Sequence, residues 1–185
     1  IGASRLMEAP DFEARLKIVG DRSDEIAEDC RDALKEPVHE LIEDRAILVR
    51  QAVNAFIDGH HEAAQALAVV VCDSYLKTHF DGLGYTKMRE KLTLDQSDDA
   101  ALWTVFRYDM PMATAVRFLV DWKSHKHPVP SNFSRHVTIH GASTAQLNSL
   151  HATLAIMLAA TMTRALDAIL EPGGNAPETV ASGGK

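Results

Sequence analysis

Residues 60–80 read HHEAAQALAVVVCDSYLKTHF, and this stretch sets the fold class. Its centre is an unbroken apolar run, from Ala66 to Cys72, that would suit either a buried strand or a buried helix. The length of the stretch and its repeated alanines favour a helix, because strands rarely exceed about ten residues and alanine has the highest helix propensity. We therefore predict a central, buried helix across residues 60–80.

The segments before this helix repeat apolar residues at helical spacing. Pro37 stands where a new helix would start, and Gly59 follows where that amphipathic helix would end. Residues 8–36 are rich in charge and are predicted to form one or two further helices. On the other side, residues 85–96 are predicted to be a loop with at most one turn.

Further helices are predicted towards the C-terminus, with starts at Ser97, Pro111, Asn132 and Ser143. The second of these is expected to run to about Lys123, and the third, which is short, from its cap to His140 before Gly141. The sequence thus predicts an all-α bundle of four to five core helices with extra N-terminal helices. We divide it into a charged extension (1–36), the bundle (37–171) and a flexible tail (172–185).

Composition supports the same fold class. The chain has 185 residues, 26 of them alanine, and only 6% aromatic residues, which favours closely packed helices over a β-sandwich. Hydrophobic residues make up 46% and charged residues 24%, which excludes a wholly disordered chain.

Location is predicted from cysteine use and hydropathy. Two cysteines are too few for a disulfide framework and suit a reducing compartment, so we expect a cytoplasmic protein. No uninterrupted apolar run approaches the length of a membrane span, so no membrane partner is expected. Because the chain begins with Ile1 and not with methionine, we also expect it to be part of something longer.

The charge distribution is uneven. The formal net charge is −7, and residues 1–50 carry 13 acids against 8 bases. The acids stop at Asp121, and residues 122–165 contain neither Asp nor Glu. That segment holds five of the nine histidines together with Lys123, Lys126, Arg135 and Arg164. A buried final helix would explain the lack of acids after residue 143, but the bases before it indicate a local site for an anion.

Metal binding and nucleophilic catalysis are the weaker alternatives. His136 and His140 are four residues apart and share a helix face, as in zinc enzymes, but position 137 is Val where such an enzyme carries an acid. His125 and His127 would be the remaining candidate ligands. Cys72 lies in the most apolar helix and is expected to be an inert core thiol.

Residues 134–141, SRHVTIHG, carry the strongest chemical signal. Arg135 is a permanent cation that can hold a phosphate through two hydrogen bonds. His136 and His140 can transfer protons near neutral pH. This set suffices to cleave a phosphodiester that supplies its own 2′-hydroxyl nucleophile. The alternative is a surface helix with a capping arginine and incidental histidines.

The same residues resemble a known family. Arg135, four residues and then His140 are similar to the Arg-x4–6-His motif of the HEPN superfamily of helical ribonucleases, whose residue after the arginine is typically polar, as His136 is here. Ser134 departs from the asparagine common at that position. The resemblance extends over about residues 38–170, and it includes an asparagine, Asn148, near the start of the last helix.

The resemblance implies a homodimer in which two motifs face each other across the Arg135/His140 site. It also implies cleavage of RNA without a metal or other cofactor, commonly in toxin–antitoxin or antiphage defence systems, with an antitoxin or a sensor domain as a further partner. Some members have lost catalysis and serve as dimerisation, nucleotide-binding or partner-binding modules, which is the alternative function.

Roles are predicted as follows. Arg135 holds the scissile phosphate, with free N–H groups after an Asn132 cap nearby, and His140 transfers the proton. His136 orients the substrate or the partner motif. The expected substrate-binding residues are Lys123, Lys126, Asn132 and Asn148.

Overall fold

The computed structural model describes residues 2–93, 104–122, 128–141 and 143–170. Every regular element in these ranges is helical, which confirms the predicted all-α class. The helices are α1 (Gly2–Glu8), α2 (Phe12–Asp21), α3 (Ser23–Ala33), α4 (Glu43–Ile57), α5 (His61–His79), α6 (Tyr85–Leu92), α7 (Met110–Ala113), α8 (Ala115–Phe118), α9 (Arg135–His140) and α10 (Ser149–Leu170). A 3-10 turn, Glu40–Ile42, precedes α4, and a π-helical turn, Val105–Asp109, precedes α7. The predicted helix start at Ser97 and the tail after residue 171 lie outside the described residues.

The centre of the bundle is the pair of helices α5 and α10, and α4 packs against both of them. Small residues let the two long helices approach closely, since Ala64 and Ala68 of α5 and Ala155 and Ala159 of α10 are all buried. A buried hydrogen bond of 3.1 Å between the hydroxyls of Tyr75 and Thr163 also joins these helices. The predicted central helix is therefore confirmed.

Helix α10 is long and apolar enough to cross a membrane, with a mean hydropathy of 1.5, although its apolar run is interrupted. In this fold 61% of that apolar window is buried inside the protein. The apolar side chains of α10 thus form the core of the bundle, where they contact α2, α3, α4 and α5.

The N-terminal helices share this core. Ala27, Cys30 and Leu34 of the α3 region are buried against it, and Arg164 of α10 binds the end of α3. The Arg164 guanidinium donates to the Ala33 carbonyl at 2.7 Å and to Asp167 at 3.1 Å. This arginine, one of the cations of the acid-free segment, therefore has a structural partner.

The helix predicted to start at Pro37 begins later, because residues 40–42 form a 3-10 turn and α4 starts only at Glu43.

Two further predictions about element bounds are wrong. Residues 85–92 form helix α6 where a loop was expected, because Met88 and Leu92, four residues apart, are both buried on one face. Pro111 does not open its helix, since the π-helical turn already precedes Met110, and the helical segment ends at Phe118.

A hydrogen bond of a histidine joins the end of α5 to the π-helical turn. The Tyr108 hydroxyl and the Nε2 atom of His79 form a hydrogen bond, and their rings lie 5.6 Å apart. Burial lowers the pKa of His79 from its ordinary value. The imidazole is therefore held in its neutral form, which can accept the tyrosine O–H.

We predict that this histidine makes the fold less stable in acid. Because the pKa of His79 is lower in the folded than in the unfolded chain, unfolding takes up a proton below about pH 6.5. The free energy of unfolding, measured in urea, should thus fall from about pH 7.5 to about pH 5.5. His79→Gln should show a smaller fall than the parent protein, whereas His60→Gln, at an exposed histidine, should match the parent. An equal fall in all three proteins would contradict this.

Candidate functional site

Helix α9 carries the predicted motif, and its N-cap differs from the predicted one. The Ser134 hydroxyl accepts a hydrogen bond from the Val137 N–H at 3.4 Å, so Ser134 and not Asn132 is the N-cap. Gly141 ends the helix as predicted, and a Cβ atom there would lie 2.8 Å from a Val137 methyl group. Only glycine therefore fits at position 141 without displacing Val137.

A buried glutamine on α5 fixes where α9 lies. Gln65 is fully buried, and its Nε2 atom donates to the Thr138 hydroxyl of α9 and to the Gln146 carbonyl, both at 2.9 Å. Its Oε1 atom accepts from the Asn148 N–H at 3.4 Å. One side chain of the central helix thus binds both α9 and the segment that enters α10.

A second buried glutamine holds the chain that leads into α9. Gln146 Oε1 accepts from the Ser134 N–H at 3.1 Å, and Nε2 donates to the carbonyls of Asn132, at 2.9 Å, and Pro130. Sequence reasoning did not single out either glutamine. Their pattern offers no signal, because a glutamine in a helix or turn is usually exposed.

Arg135 does not point into solvent. Only 3% of the residue is exposed, and its guanidinium lies between two carboxylates. Its Nη1 atom is 3.3 Å from Asp73 Oδ1, and its Nη2 atom is 3.0 Å from Asp121 Oδ1. The acid-free segment of the sequence is thus not acid-free in space, because α5 and the chain after α8 supply the acids.

Tyr85 and Lys77 complete the surroundings of Asp73. The Tyr85 ring centre is 3.9 Å from the Arg135 guanidinium carbon, and the Tyr85 hydroxyl donates to Asp73 Oδ1 at 2.9 Å. Lys77 Nζ lies 2.9 Å from Asp73 Oδ2, and this hydrogen bond, followed by one with Tyr85, raises the pKa of Lys77. Helix α6, which sequence analysis expected to be a loop, therefore contributes an aromatic surface to the arginine site.

The two histidines lie on one face, as their spacing predicts. The ring centres of His136 and His140 are 4.8 Å apart, and His140 is exposed. His136 Nδ1 is 3.6 Å from Asp121 Oδ1, the same oxygen that Arg135 contacts, and its ring meets Trp122 edge-on at 6.3 Å. One carboxylate oxygen is therefore shared by the arginine and the first histidine.

The remaining predicted residues are placed as follows. Lys123 and Lys126 lie outside the described residues. Asn132 is exposed, and its carbonyl is bound by Gln146. Asn148 Oδ1 accepts from the His151 N–H at 2.9 Å, so Asn148 caps α10 and the predicted cap at Ser143 is wrong.

A cavity of about 840 Å³ lies beside the motif. Its lining comes from α2, α8, α10 and the chain between α8 and α9, and it includes Asp121, Trp122 and Ser134. Most of the lining is apolar, and the rings of Phe118, Phe133 and His151 follow one another at about 6 Å. The cavity and the Arg135 site thus share Asp121.

Two other chemistries receive little support from the described residues. Burial raises the pKa of Cys30 to about 12 and raises the pKa of Cys72 as well, so both thiols stay protonated. Within residues 2–93, 104–122, 128–141 and 143–170, no group of three or more His, Cys, Asp or Glu side chains is arranged to hold a metal ion. His125 and His127 lie outside these ranges.

Comparisons of the chain with protein-family models, with curated proteins and with solved structures found no match.

We predict that Gln146 is needed to hold the motif in place. Gln146→Leu keeps the volume but leaves the Ser134 N–H and two carbonyls without partners, which should lower the free energy of unfolding by about 2–3 kcal/mol. Hydrogen exchange at the Ser134 amide should also become faster. Gln51→Leu, at an exposed glutamine of α4, should change neither quantity. Normal stability and unchanged Ser134 exchange in Gln146→Leu would contradict this role.

Proposed function

We propose that this protein is a metal-independent endoribonuclease of the HEPN type that cleaves RNA by attack of the 2′-hydroxyl. The observation that carries the proposal is the meeting of Arg135 Nη2 and His136 Nδ1 at one Asp121 oxygen, with the His140 ring alongside. A carboxylate oxygen resembles a non-bridging phosphate oxygen in charge and in hydrogen bonding. An arginine and a histidine that share such an oxygen can therefore also share a phosphate oxygen.

The chemistry needs only groups of this site and of the RNA. The 2′-oxygen attacks phosphorus and loses its proton, the 5′-oxygen leaves and gains one, and a 2′,3′-cyclic phosphate results. His140 is exposed and can exchange protons with substrate and water. Arg135 offsets the negative charge that grows on the phosphate in the transition state.

A second copy of the chain would double this sparse site, and a twofold dimer across the motif is part of the proposal. Of the three apolar residues around the motif, Val137 is fully buried and Phe133 packs against the core. Ile139 remains 39% exposed and is available for such an interface. An antitoxin or a sensor domain would be a further partner of a toxin or antiphage effector.

RNA cleavage is the direct test. The purified protein should cut a mixed single-stranded RNA, and His140→Ala should lose about 10²-fold or more of that activity because a proton-transfer group is gone. His60→Ala removes another exposed histidine and should keep full activity. Arg135→Ala is a poorer test, because it leaves the Asp73 carboxylate without its arginine in a site that is 13% exposed.

The products identify the mechanism. Attack by the 2′-hydroxyl requires 2′,3′-cyclic phosphate and 5′-hydroxyl ends, cleavage in the presence of EDTA, and no cleavage of DNA. Ends that carry a 3′-hydroxyl, or full activity in His140→Ala, would reject the proposal.

A non-catalytic binding module is the second candidate, and the cavity beside the motif favours it. His151 lines this cavity and is only 4% exposed. Its Nδ1 atom lies 2.9 Å from the Gln146 carbonyl and 3.2 Å from the Asn148 amide nitrogen, and the shorter contact, with a group that can only accept, favours the tautomer with the proton on Nδ1. In that tautomer Nε2 is an acceptor, and it makes no hydrogen bond within the described residues. A matching ligand would have an apolar, ring-shaped body and one hydroxyl or N–H donor.

This second function predicts binding of 2-naphthol, whose hydroxyl can donate to His151 and whose rings suit Phe118 and Phe133. Fluorescence titration should show tighter binding of 2-naphthol than of naphthalene, by about five- to tenfold for one hydrogen bond. Leu154→Trp should fill the cavity and abolish binding, whereas Val70→Trp, at an exposed position of α5, should not. Equal binding by both variants would place the ligand elsewhere.

A further inference from the structure

We propose that the Asp121 carboxylate occupies the position at which an anion would bind Arg135 and His136. Asp121 thus acts as an intramolecular competitor, and an anion binds there only when this side chain swings away. The anion-binding part of this inference stands on the contacts alone. Its consequence for RNA cleavage rests on the proposed ribonuclease function.

The two carboxylates that hold Arg135 are not equivalent. Asp73 is 13% exposed and receives three donors, from Arg135 at 3.3 Å, Tyr85 at 2.9 Å and Lys77 at 2.9 Å. Asp121 is 53% exposed, and its contacts within the described residues are with Arg135 and His136. The Asp121 carboxylate can therefore exchange these contacts for water, whereas Asp73 would have to give up three donors, of which the Arg135 guanidinium is buried.

Arg135 would stay in place after Asp121 leaves. Its Nη1 atom would keep Asp73, and its guanidinium would keep the Tyr85 ring at 3.9 Å. The vacated position would then present Arg135 Nη2 and His136 Nδ1 towards the same point, which is the geometry that a phosphate oxygen needs. Asp73 is thus an anchor of the arginine, and Asp121 is its displaceable occupant.

While Asp121 is paired with Arg135, the hydrogen-bonding capacity of the arginine is not fully used. Arg135 Nε is buried and has no hydrogen-bond partner among the described residues. Since a guanidinium has five N–H donors, an arginine whose pairing is complete would leave none of them buried and unused. Asp121 binds the arginine through one oxygen, Oδ1, and not through the two-point contact that would make the pair hard to displace.

An incoming phosphodiester must compete with a carboxylate of equal charge that is already tethered to the site. If Asp121 occupies the site for about nine tenths of the time, the apparent dissociation constant of an anion is raised about tenfold. Because Asp121 occupies the site, anions that bind weakly or that are present at low concentration do not displace it. Occupation by Asp121 also explains how an arginine with 3% exposure could still serve as a phosphate ligand.

Titration with inorganic phosphate tests this directly. Asp121→Asn preserves the shape of the side chain but removes its charge, and it should lower the dissociation constant of phosphate about tenfold in calorimetry or ³¹P NMR. Asp58→Asn removes the same charge from an exposed position at the end of α4 and should leave the constant unchanged. Adding His136→Leu to Asp121→Asn should cancel most of the gain, which shows that the new site uses His136.

The readouts separate this inference from the ribonuclease proposal. If the parent protein cleaves RNA, Asp121→Asn should lower KM about tenfold with little change in kcat, because only the competition is removed. Tighter phosphate binding without RNA cleavage in any variant would support the competitor role and reject the ribonuclease. RNA cleavage by the parent protein, with phosphate binding equal in Asp121→Asn and Asp58→Asn, would overturn the competitor role alone. Thermal melts check that each variant is folded, and a folded Asp121→Asn that binds phosphate no more tightly than Asp58→Asn overturns the competitor role.

Discussion

The candidate site depends on the pairing of one buried charge, the guanidinium of Arg135. Three separate parts of the chain converge on it: Asp73 from α5, Tyr85 from α6 and Asp121 from the segment after α8. A charge with 3% exposure is costly unless it is paired, so the less exposed Asp73 is the partner that α9 needs in order to dock against the bundle, and Tyr85 adds its ring to that contact. The position of the motif histidines follows from that docking, since they lie on the same short helix as the arginine.

The rest of the bundle supports this charge with two kinds of packing. Small residues on α5 and α10 bring the long helices together and make the core largely apolar. At the end of that core, Gln65 and Gln146 replace apolar packing with buried hydrogen bonds to α9 and to the chain before it. A polar network specifies geometry more strictly than apolar contacts do, because every donor and acceptor must be met. A short helix of six residues can be held at one angle by this means, which its own helical hydrogen bonds could not achieve.

Asp121 connects the two features on which the function proposals rest. Its carboxylate touches Arg135 and His136, and the same residue lines the apolar cavity between α2, α8 and α10. The ribonuclease proposal and the binding-module proposal thus concern neighbouring surfaces that share one side chain.

The sequence by itself determined the helical class, the central helix across residues 60–80 and the common face of His136 and His140. These features depend on local spacing and helix propensity, which act between residues a few positions apart. The sequence did not indicate helix α6, because Met88 and Leu92 form only a short apolar repeat whose burial depends on a partner helix. Only the tertiary structure decided the environment of Arg135, since Asp73 lies 62 positions away in the chain and nothing in its local pattern marks it as an arginine partner. Charges pair according to distance in space, and that distance is set by how the helices pack.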